Sequence, residues 1–327
     1  MAMTEITYRD ALRLALHDAM HADPSVIVIG EEVGLYGGAY GVTKDLITTF
    51  GAARVIDTPI SEAGIVGTAV GAAMTGLRPV AELMYVDFLG LVMDQLANQA
   101  AKIRYMFGGQ IGVPMVLRTQ GGTGRSAGAQ HSQSLEGWIM HTPGLRLAMP
   151  ATAGDAYHLL RHALTLPDPV VMIEHKSLYT RKDLADLDMP DAPWGRAVVR
   201  RQGGQVTIVT YSRMVHVALA AAETLATGGI EAAVIDLRTL NPVDMETVAE
   251  HVRRSGRAVV VSEGPLTAGV AAELAARIGE ECFDYLEDPV IRLAAEDIPV
   301  PVSPELEQAS IPTAALIVDT VRRMLAR

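Results

Sequence analysis

Cysteine is almost missing from this 327-residue chain, and the single Cys282 excludes both a disulfide framework and a cysteine-based metal cluster. Aromatic residues make up only 5%, too few for a surface on which nucleic-acid bases could stack. Basic charge is also scarce. Lys and Arg number 27 against 38 Asp and Glu, a net charge of −11, so no basic field exists to displace counterions from a nucleic acid. Long hydrophobic runs are lacking as well. Residues 63–77 are uncharged, yet that run is only 15 residues long, short of the ~20 needed to span a bilayer. The opening Met1-Ala2-Met3-Thr4-Glu5 carries neither a signal nor an Arg-rich transit pattern. The expected setting is the reducing cytoplasm, with no nucleic acid and no membrane as partner.

Apolar residues are plentiful at 49%, and at roughly 150 residues per domain the length points to two domains with buried cores. Apolar periodicity near 3.6 predicts helices over 8–20, 62–75, 88–106 and 154–165. Short β-branched runs between them predict strands over 26–29, 54–57, 80–83, 115–119, 146–149 and 170–174. Residues 31–42 hold four glycines and read as a loop. The stretch 182–195 is charged, carries Pro190 and Pro193, and reads as a linker. Beyond it a second alternation begins, with strands over 205–211, 231–237, 257–262 and 290–293. Helices are expected between them over 215–226, 245–253 and 268–280, with a last one at 313–326. The fold class expected is α/β, two domains, each a mainly parallel sheet flanked by helices. Their limits are 1–185 and 201–327, joined by a linker at 186–200.

Glu62, in Asp57-Thr58-Pro59-Ile60-Ser61-Glu62-Ala63-Gly64, stands at a helix start straight after a strand. Two readings apply: Ser61 caps the helix and a first-turn acid complements its dipole, or the carboxyl lines a ligand site. The second follows from its place at the strand-to-helix edge of a parallel sheet, and partial burial there would suit it to proton exchange. His131 ends a loop rich in glycine (Gly121, Gly122, Gly124, Gly128), a setting that suits a substrate contact. Neither His131 nor His141 has neighbours at metal-ligand spacing, so no metal site is expected. Gly122-Thr123-Gly124-Arg125-Ser126-Ala127 matches a dinucleotide-binding pattern, but no amphipathic helix follows it, which argues against a nicotinamide dehydrogenase. Tyr85 and Phe88, three residues apart, share a face and read first as core packing. Met84, Met93 and Met106 read as core filler.

The chain resembles the β subunit of the thiamine-diphosphate-dependent decarboxylating component of 2-oxo acid dehydrogenase complexes, over nearly its whole length. The likeness rests on Asp57-Thr58-Pro59-Ile60-Ser61-Glu62, Gly76-Leu77-Arg78-Pro79, Asp94-Gln95, Ala100-Ala101-Lys102 and His131-Ser132-Gln133. It continues through Pro143-Gly144-Leu145, Asp168-Pro169-Val170 and Asp236-Leu237-Arg238-Thr239-Leu240-Asn241-Pro242. The resemblance implies a pyrimidine-binding domain followed by a transketolase-type C-terminal domain. It implies that Glu62 bonds the aminopyrimidine ring nitrogen of thiamine diphosphate and favours its imino tautomer. Phe88 would stack on that ring, Tyr85 and Ile60 would complete its pocket, and His131 would handle protons during acyl transfer to lipoyl.

Thiamine enzymes hold the diphosphate through magnesium on a Gly-Asp-Gly motif, and the one Gly-Asp here, Gly154-Asp155, is followed by Ala156. The resemblance therefore implies half a cofactor site: the aminopyrimidine bound here, Mg2+ and the diphosphate on an α subunit, and an α2β2 heterotetramer. The C-terminal domain would dock the lipoyl acyltransferase core. Its acids Glu280, Glu281, Asp284, Glu287 and Asp288 suit a basic partner or form a solvated face. The substrate implied is a 2-oxo acid, most closely pyruvate, with acetoin-cleaving and branched-chain types as relatives and a non-catalytic regulatory subunit as the contrasting alternative. Three departures stand out. Gly30-Glu31-Glu32 replaces the commoner Gly-Glu-Asp. Pro167 and the missing acid at Leu166 disfavour the monovalent cation that some relatives hold near 163–168. Glu263-Gly264-Pro265 differs from the family pattern with no functional consequence assigned.

Overall fold

The computed structural model describes residues 3–189 and 193–326. It divides into two compact units, Met1–Gly121 with Trp138–Trp194, and Gly122–Gly137 with Gly195–Arg327. In the first unit the strands are β1 (Met3–Thr7), β2 (Val26–Gly30), β3 (Val55–Asp57), β4 (Arg78–Leu83), β5 (Val116–Gly121), β6 (Arg146–Ala148), β7 (Val170–His175) and β8 (Lys182–Asp186). Its sheet runs β6-β7-β5-β4-β2-β3, and every one of these pairings is parallel. β2, β5 and β7 are buried along their whole length, as expected of strands covered on both faces.

Helix α1 (Tyr8–Ala22) starts where the Thr7 hydroxyl accepts the Asp10 N–H at 3.1 Å. Its stripe of Leu12, Ala15 and Leu16 packs into one core with Leu159 and Leu160 of α7 (Ala153–Ala163) and with Val28 and Met172 of the sheet. Between these lie α2 (Leu46–Phe50), α3 (Glu62–Met74), α4 (Leu89–Met93), α5 (Ala101–Met106) and α6 (Glu136–Met140). The helix expected over 88–106 is present, but its middle, Asp94–Ala100, is wound as a π-helix, a form that often marks functional sites. Met106 is more than half exposed at its end, beside exposed Tyr105 and Phe107, so it is not core filler.

Several sequence blocks prove to be neighbours. Gly144 adopts φ +100°, and a Cβ there would overlap the carbonyl of Ala101, so Pro143-Gly144-Leu145 and Ala100-Ala101 meet through backbone. Asp168 is gripped by Arg104 at 2.5 Å and by Arg146 at 2.8 Å. Arg78 donates to the carbonyls of Leu164 and Leu166, at 2.8 and 3.2 Å. A guanidinium thus already occupies two carbonyls of the segment expected to be a poor cation site.

The compositional linker is structured at both ends. Lys182–Asp186 forms β8, antiparallel to β1, with Lys182 and Glu5 paired at 2.9 Å. Its backbone makes the ladder, Lys182 is exposed, and Asp183 accepts the Ala153 N–H at 3.0 Å, so a charged composition concealed a strand. Residues 190–192 of the expected linker, including Pro190, lie outside the described residues. The second unit holds β9 (Val198–Arg201), β10 (Val206–Thr210), β11 (Ala232–Asp236), β12 (Thr239–Asn241), β13 (Ala258–Pro265) and β14 (Ile291–Ala295). Its five-stranded sheet runs β14-β13-β10-β11-β9, parallel except at β9. Helices α8 (Met214–Thr227), α9 (Met245–Ser255), α10 (Val270–Cys282), α11 (Pro304–Ala309) and α12 (Ala314–Leu325) complete it, and α8 and α12 bury Leu225, Ile317 and Val321 on Ile208 and Val259.

Candidate active site

The candidate residues of the first unit gather at the carboxyl ends of its parallel strands, where such sheets bind ligands. Glu31 follows β2, Ile60 and Glu62 follow β3, Tyr85 and Phe88 follow β4. Asp57, at the end of β3, accepts the Gly34 N–H at 2.6 Å and the Leu35 N–H at 3.2 Å, pinning the loop that carries Glu31. Glu62 is the first residue of α3, half-buried, and no charge follows it in that helix. Ser61 makes no side-chain capping bond, contrary to the first reading of this motif. Its hydroxyl lies 2.8 Å from where a Gly64 Cβ would stand. Glu31 and Glu62 repel one another. Burial, the Glu62 charge and the Glu32 charge together push the Glu31 carboxyl up. Ile60 is 80% exposed.

Tyr85 sits at φ +67°, a turn that throws its ring against Phe88, edge to face with centroids 6.2 Å apart. Both are half-buried, so they are not the closed core packing that spacing alone favoured. Behind Tyr85 runs a ladder of rings: Tyr40 at 6.4 Å, Tyr179 stacked on Tyr40 at 4.8 Å, and Tyr8 against Tyr179 at 6.1 Å. The buried Lys176 ammonium lies 5.4 Å from the Tyr85 ring centroid, a cation–π contact. Through Tyr179 the ladder meets a buried ion cluster. Arg118 donates to both oxygens of Glu174 at 2.7 Å and to Glu82 at 2.8 Å, and Tyr179 donates to Glu174 at 2.6 Å. Burial pushes the Glu82 carboxyl up against the pull of Arg118, and burial with the Glu174 charge pushes the Tyr179 hydroxyl well up.

His131 belongs to the other unit, in the segment Gly122–Gly137, half-buried with its N–H on the Gly128 carbonyl at 3.2 Å. The dinucleotide-like pattern in this segment is already committed: the Thr123 N–H donates to Glu263 at 2.6 Å and the Ser126 N–H to Glu307 at 3.2 Å. Those amides face carboxylates and could not cradle a pyrophosphate. Among the described residues no group of three or more His, Cys, Asp or Glu could hold a metal ion, and no helix is long and apolar enough to cross a membrane.

Residues 4–182 match the family described as transketolase, pyrimidine binding domain, and residues 195–317 the transketolase C-terminal domain. Over 98% of its length the chain is 44% identical to the pyruvate dehydrogenase E1 component subunit beta of Rhizobium meliloti, covering 70% of that protein. The chain belongs to the pyruvate dehydrogenase E1 β family. Another relative, the mitochondrial E1 component subunit beta-1 of Arabidopsis thaliana, is 46% identical over 99% of this chain and 90% of its own. The beta subunit of acetoin:2,6-dichlorophenolindophenol oxidoreductase from Cupriavidus necator is 43% identical over 98% of both. Among solved structures, a split-gene transketolase described as an inactive beta4 tetramer superposes with a TM-score of 0.82 at 22% identity, covering 98% of this chain and 99% of that one. That match shows the two-domain transketolase-like α/β fold.

Sequence reasoning on this E1 β-type chain missed Tyr40, Tyr179, Lys176 and the Arg118 cluster. Their only signal was a run of polar residues inside buried strands: Arg118 in β5, Glu82 in β4, Glu174 in β7. The first-unit edge fits an aminopyrimidine. It offers a carboxyl, two half-buried aromatic rings, and two buried polar atoms, Thr58 Oγ1 and Gln95 Oε1, with no hydrogen-bond partner.

Proposed function

We propose that this chain is the β subunit of an α2β2 2-oxo acid dehydrogenase of the pyruvate type. It works in the cytoplasm only together with an α subunit, and the acyl group goes to the lipoyl group of an acyltransferase core. The observation that carries this reading is the first-unit edge, where Glu62, Glu31 and the Tyr85–Phe88 pair stand together at the ends of β2, β3 and β4. Thiamine diphosphate, when bound, supplies the electron sink for loss of carbon dioxide. Glu62 would hold the aminopyrimidine ring nitrogen through a shared proton, beside a Glu31 carboxyl that burial and the Glu62 and Glu32 charges push up. Phe88 offers a ring face, Tyr85 braces it edge-on, and Ile60 supplies exposed apolar contact. His131 holds the proton exchanged at acyl transfer.

The diphosphate and Mg2+ fall to the α subunit, since the one Gly-Asp of this chain, Gly154-Asp155, runs into Ala156. Exposed Leu35, Tyr36 and Tyr105, at 69 to 90% exposure, supply apolar surface for assembly. The acyltransferase core docks on the C-terminal domain. There Arg257 pairs with Glu287 at 2.6 Å and Asp288 at 3.1 Å, and Arg277 lies 3.7 Å from Glu281, leaving Glu280 and Asp284 as the exposed acids for a basic partner.

Co-expression with an α-type subunit, followed by assay of 2-oxo acids with thiamine diphosphate and an artificial electron acceptor, tests the reading. Pyruvate-dependent reduction that requires both chains is expected. Turnover by this chain alone would overturn the shared site. A preference for acetoin would favour the second reading, which the 43% identity to the acetoin enzyme's subunit supports.

A further inference from the structure

In a parallel sheet the carboxyl edge is the place for a ligand, yet in the second unit that edge is filled by the chain itself. β10 and β13 are parallel neighbours, and Tyr211, Arg213 and Glu263 at their ends turn to the segment Gly122–Gly137. Glu263, late in β13 and buried, accepts the Thr123 N–H at 2.6 Å and the Thr123 hydroxyl at 2.8 Å. Arg213, just past β10, donates to the same hydroxyl at 2.9 Å and lies 3.5 Å from the other Glu263 oxygen. At the far end of the segment Tyr211 donates to the buried Glu136 at 2.8 Å. A Cβ at residue 264 would stand 3.0 Å from that Glu136 oxygen, so Gly264 allows the approach. Between the two ends, Glu307 of α11 accepts the Ser126 N–H at 3.2 Å. The segment is also closed on itself, with the Gly122 N–H on the Gln133 carbonyl at 2.9 Å.

A stretch with glycines at 122, 124 and 128, all at positive φ, is costly to order, because such residues lose the most freedom on folding. Buried carboxylates bonded to backbone N–H groups offset that cost. We propose that Glu263, Glu307 and the Tyr211–Glu136 pair are positioning residues, a three-point clamp by which the second unit orders this segment and sets the place of His131. The clamp also gives a structural use to Glu263-Gly264. Its bearing on catalysis rests on the role given to His131 above.

The test uses the co-purified α–β complex carrying Glu263→Ala, Glu263→Gln or Glu307→Ala. Amide hydrogen exchange over 122–135 is expected to quicken about tenfold in Glu263→Ala and about threefold in Glu307→Ala, with α3 and β10 unchanged. Acylation of a lipoyl domain falls in parallel, while decarboxylation read with an artificial acceptor stays within about threefold of the unaltered complex. Glu263→Gln keeps an oxygen for both Thr123 donors and restores both readouts. Unchanged exchange in both alanine variants would overturn the clamp. Faster exchange with undiminished acylation would overturn the positioning role, as would exchange raised evenly through the second unit. Failure of the unaltered complex to acylate lipoyl would count against the functional reading, while the exchange data still decide the clamp.

Discussion

At the carboxyl ends of β2, β3 and β4 the first unit presents Glu31, Glu62, Tyr85 and Phe88, all half-buried and turned to the edge of the sheet. At the ends of β10 and β13 the second unit presents Tyr211, Arg213 and Glu263, and each is bonded to the segment Gly122–Gly137. The central strands of the two sheets are built alike, buried and in parallel register, and both edges concentrate polar and aromatic groups. What separates them is what the edge carboxylates face. Glu263 is bonded to the segment that the second unit orders, whereas Glu31 in the first unit is pushed up by burial and by the charges of Glu62 and Glu32, and that edge is the one given to a ligand. The same architecture yields a candidate site in one case and a brace in the other.

The largest expected effect breaks the open edge. Glu62→Gln keeps the shape of the side chain but removes the acid, so decarboxylation by the complex should fall by about 10²- to 10⁴-fold, the range for a lost general acid–base group. Stability should move by less than about 0.5 kcal/mol, as for a partly exposed residue without a structural bond. Near-native turnover would remove Glu62 from proton handling and leave the first edge no different in kind from the second.

Next comes the ion cluster beneath that edge. Arg118 is fully buried, and among the described residues Glu82 and Glu174 pair with its charge. Arg118→Met strands both carboxylates, and breaking a buried pair in this way costs about 3–5 kcal/mol. Urea unfolding should show that loss. Adding Glu82→Gln and Glu174→Gln removes the stranded charges and should recover most of it. If the triple variant stays as unstable as the single one, packing of the arginine stem rather than charge is what holds the Tyr8–Tyr179–Tyr40–Tyr85 ladder in place.

Much of this was legible beforehand, and the misses share a cause. Helices such as α1 and α7 follow from period-3.6 apolar residues, and β2 and β7 from short apolar runs rich in Val and Ile, because both signals are local. Glu62 and His131 stood out through their motifs. The allegiance of Gly122–Gly137 to the second unit was not legible, because it is decided by Tyr211, Arg213, Glu263 and Glu307, between 75 and 181 residues away in sequence from their bonding partners. Glu263 looked like a departure without consequence for the same reason. β8 was hidden because its ladder with β1 is made by backbone, which composition does not report. The missing Ser61 cap is the converse case, a good local signal without its bond: Ser61 stands at φ −162° and ψ 79° and makes no side-chain capping bond.

The smallest effect sharpens the closed edge through its pH dependence. Burial pushes the Glu136 carboxyl above its ordinary value of 4.5; the Tyr211 bond pulls it down and the Glu263 charge pushes it further up. An unfolded chain keeps the ordinary value. Between the two values the folded state therefore binds more protons than the unfolded state, and stability falls as pH rises through that window. Above the folded value the loss is complete and the curve is flat again. Glu136→Gln cannot titrate, and its amide oxygen still accepts the Tyr211 hydroxyl. The variant should lack this part of the fall, so its stability relative to the unaltered chain should rise from pH 4.5 upward, by at most about 1.4 kcal/mol per pH unit within the window. A fixed cost from the amide nitrogen shifts the whole difference without changing its slope, and the raised Glu82 carboxyl is common to both proteins and cancels. Urea unfolding at intervals between pH 4.5 and 8 reads the slope directly. Parallel curves would mean that Glu136 titrates alike in the folded and unfolded chain, and that the second edge is wetter and more like the first than its bonds imply.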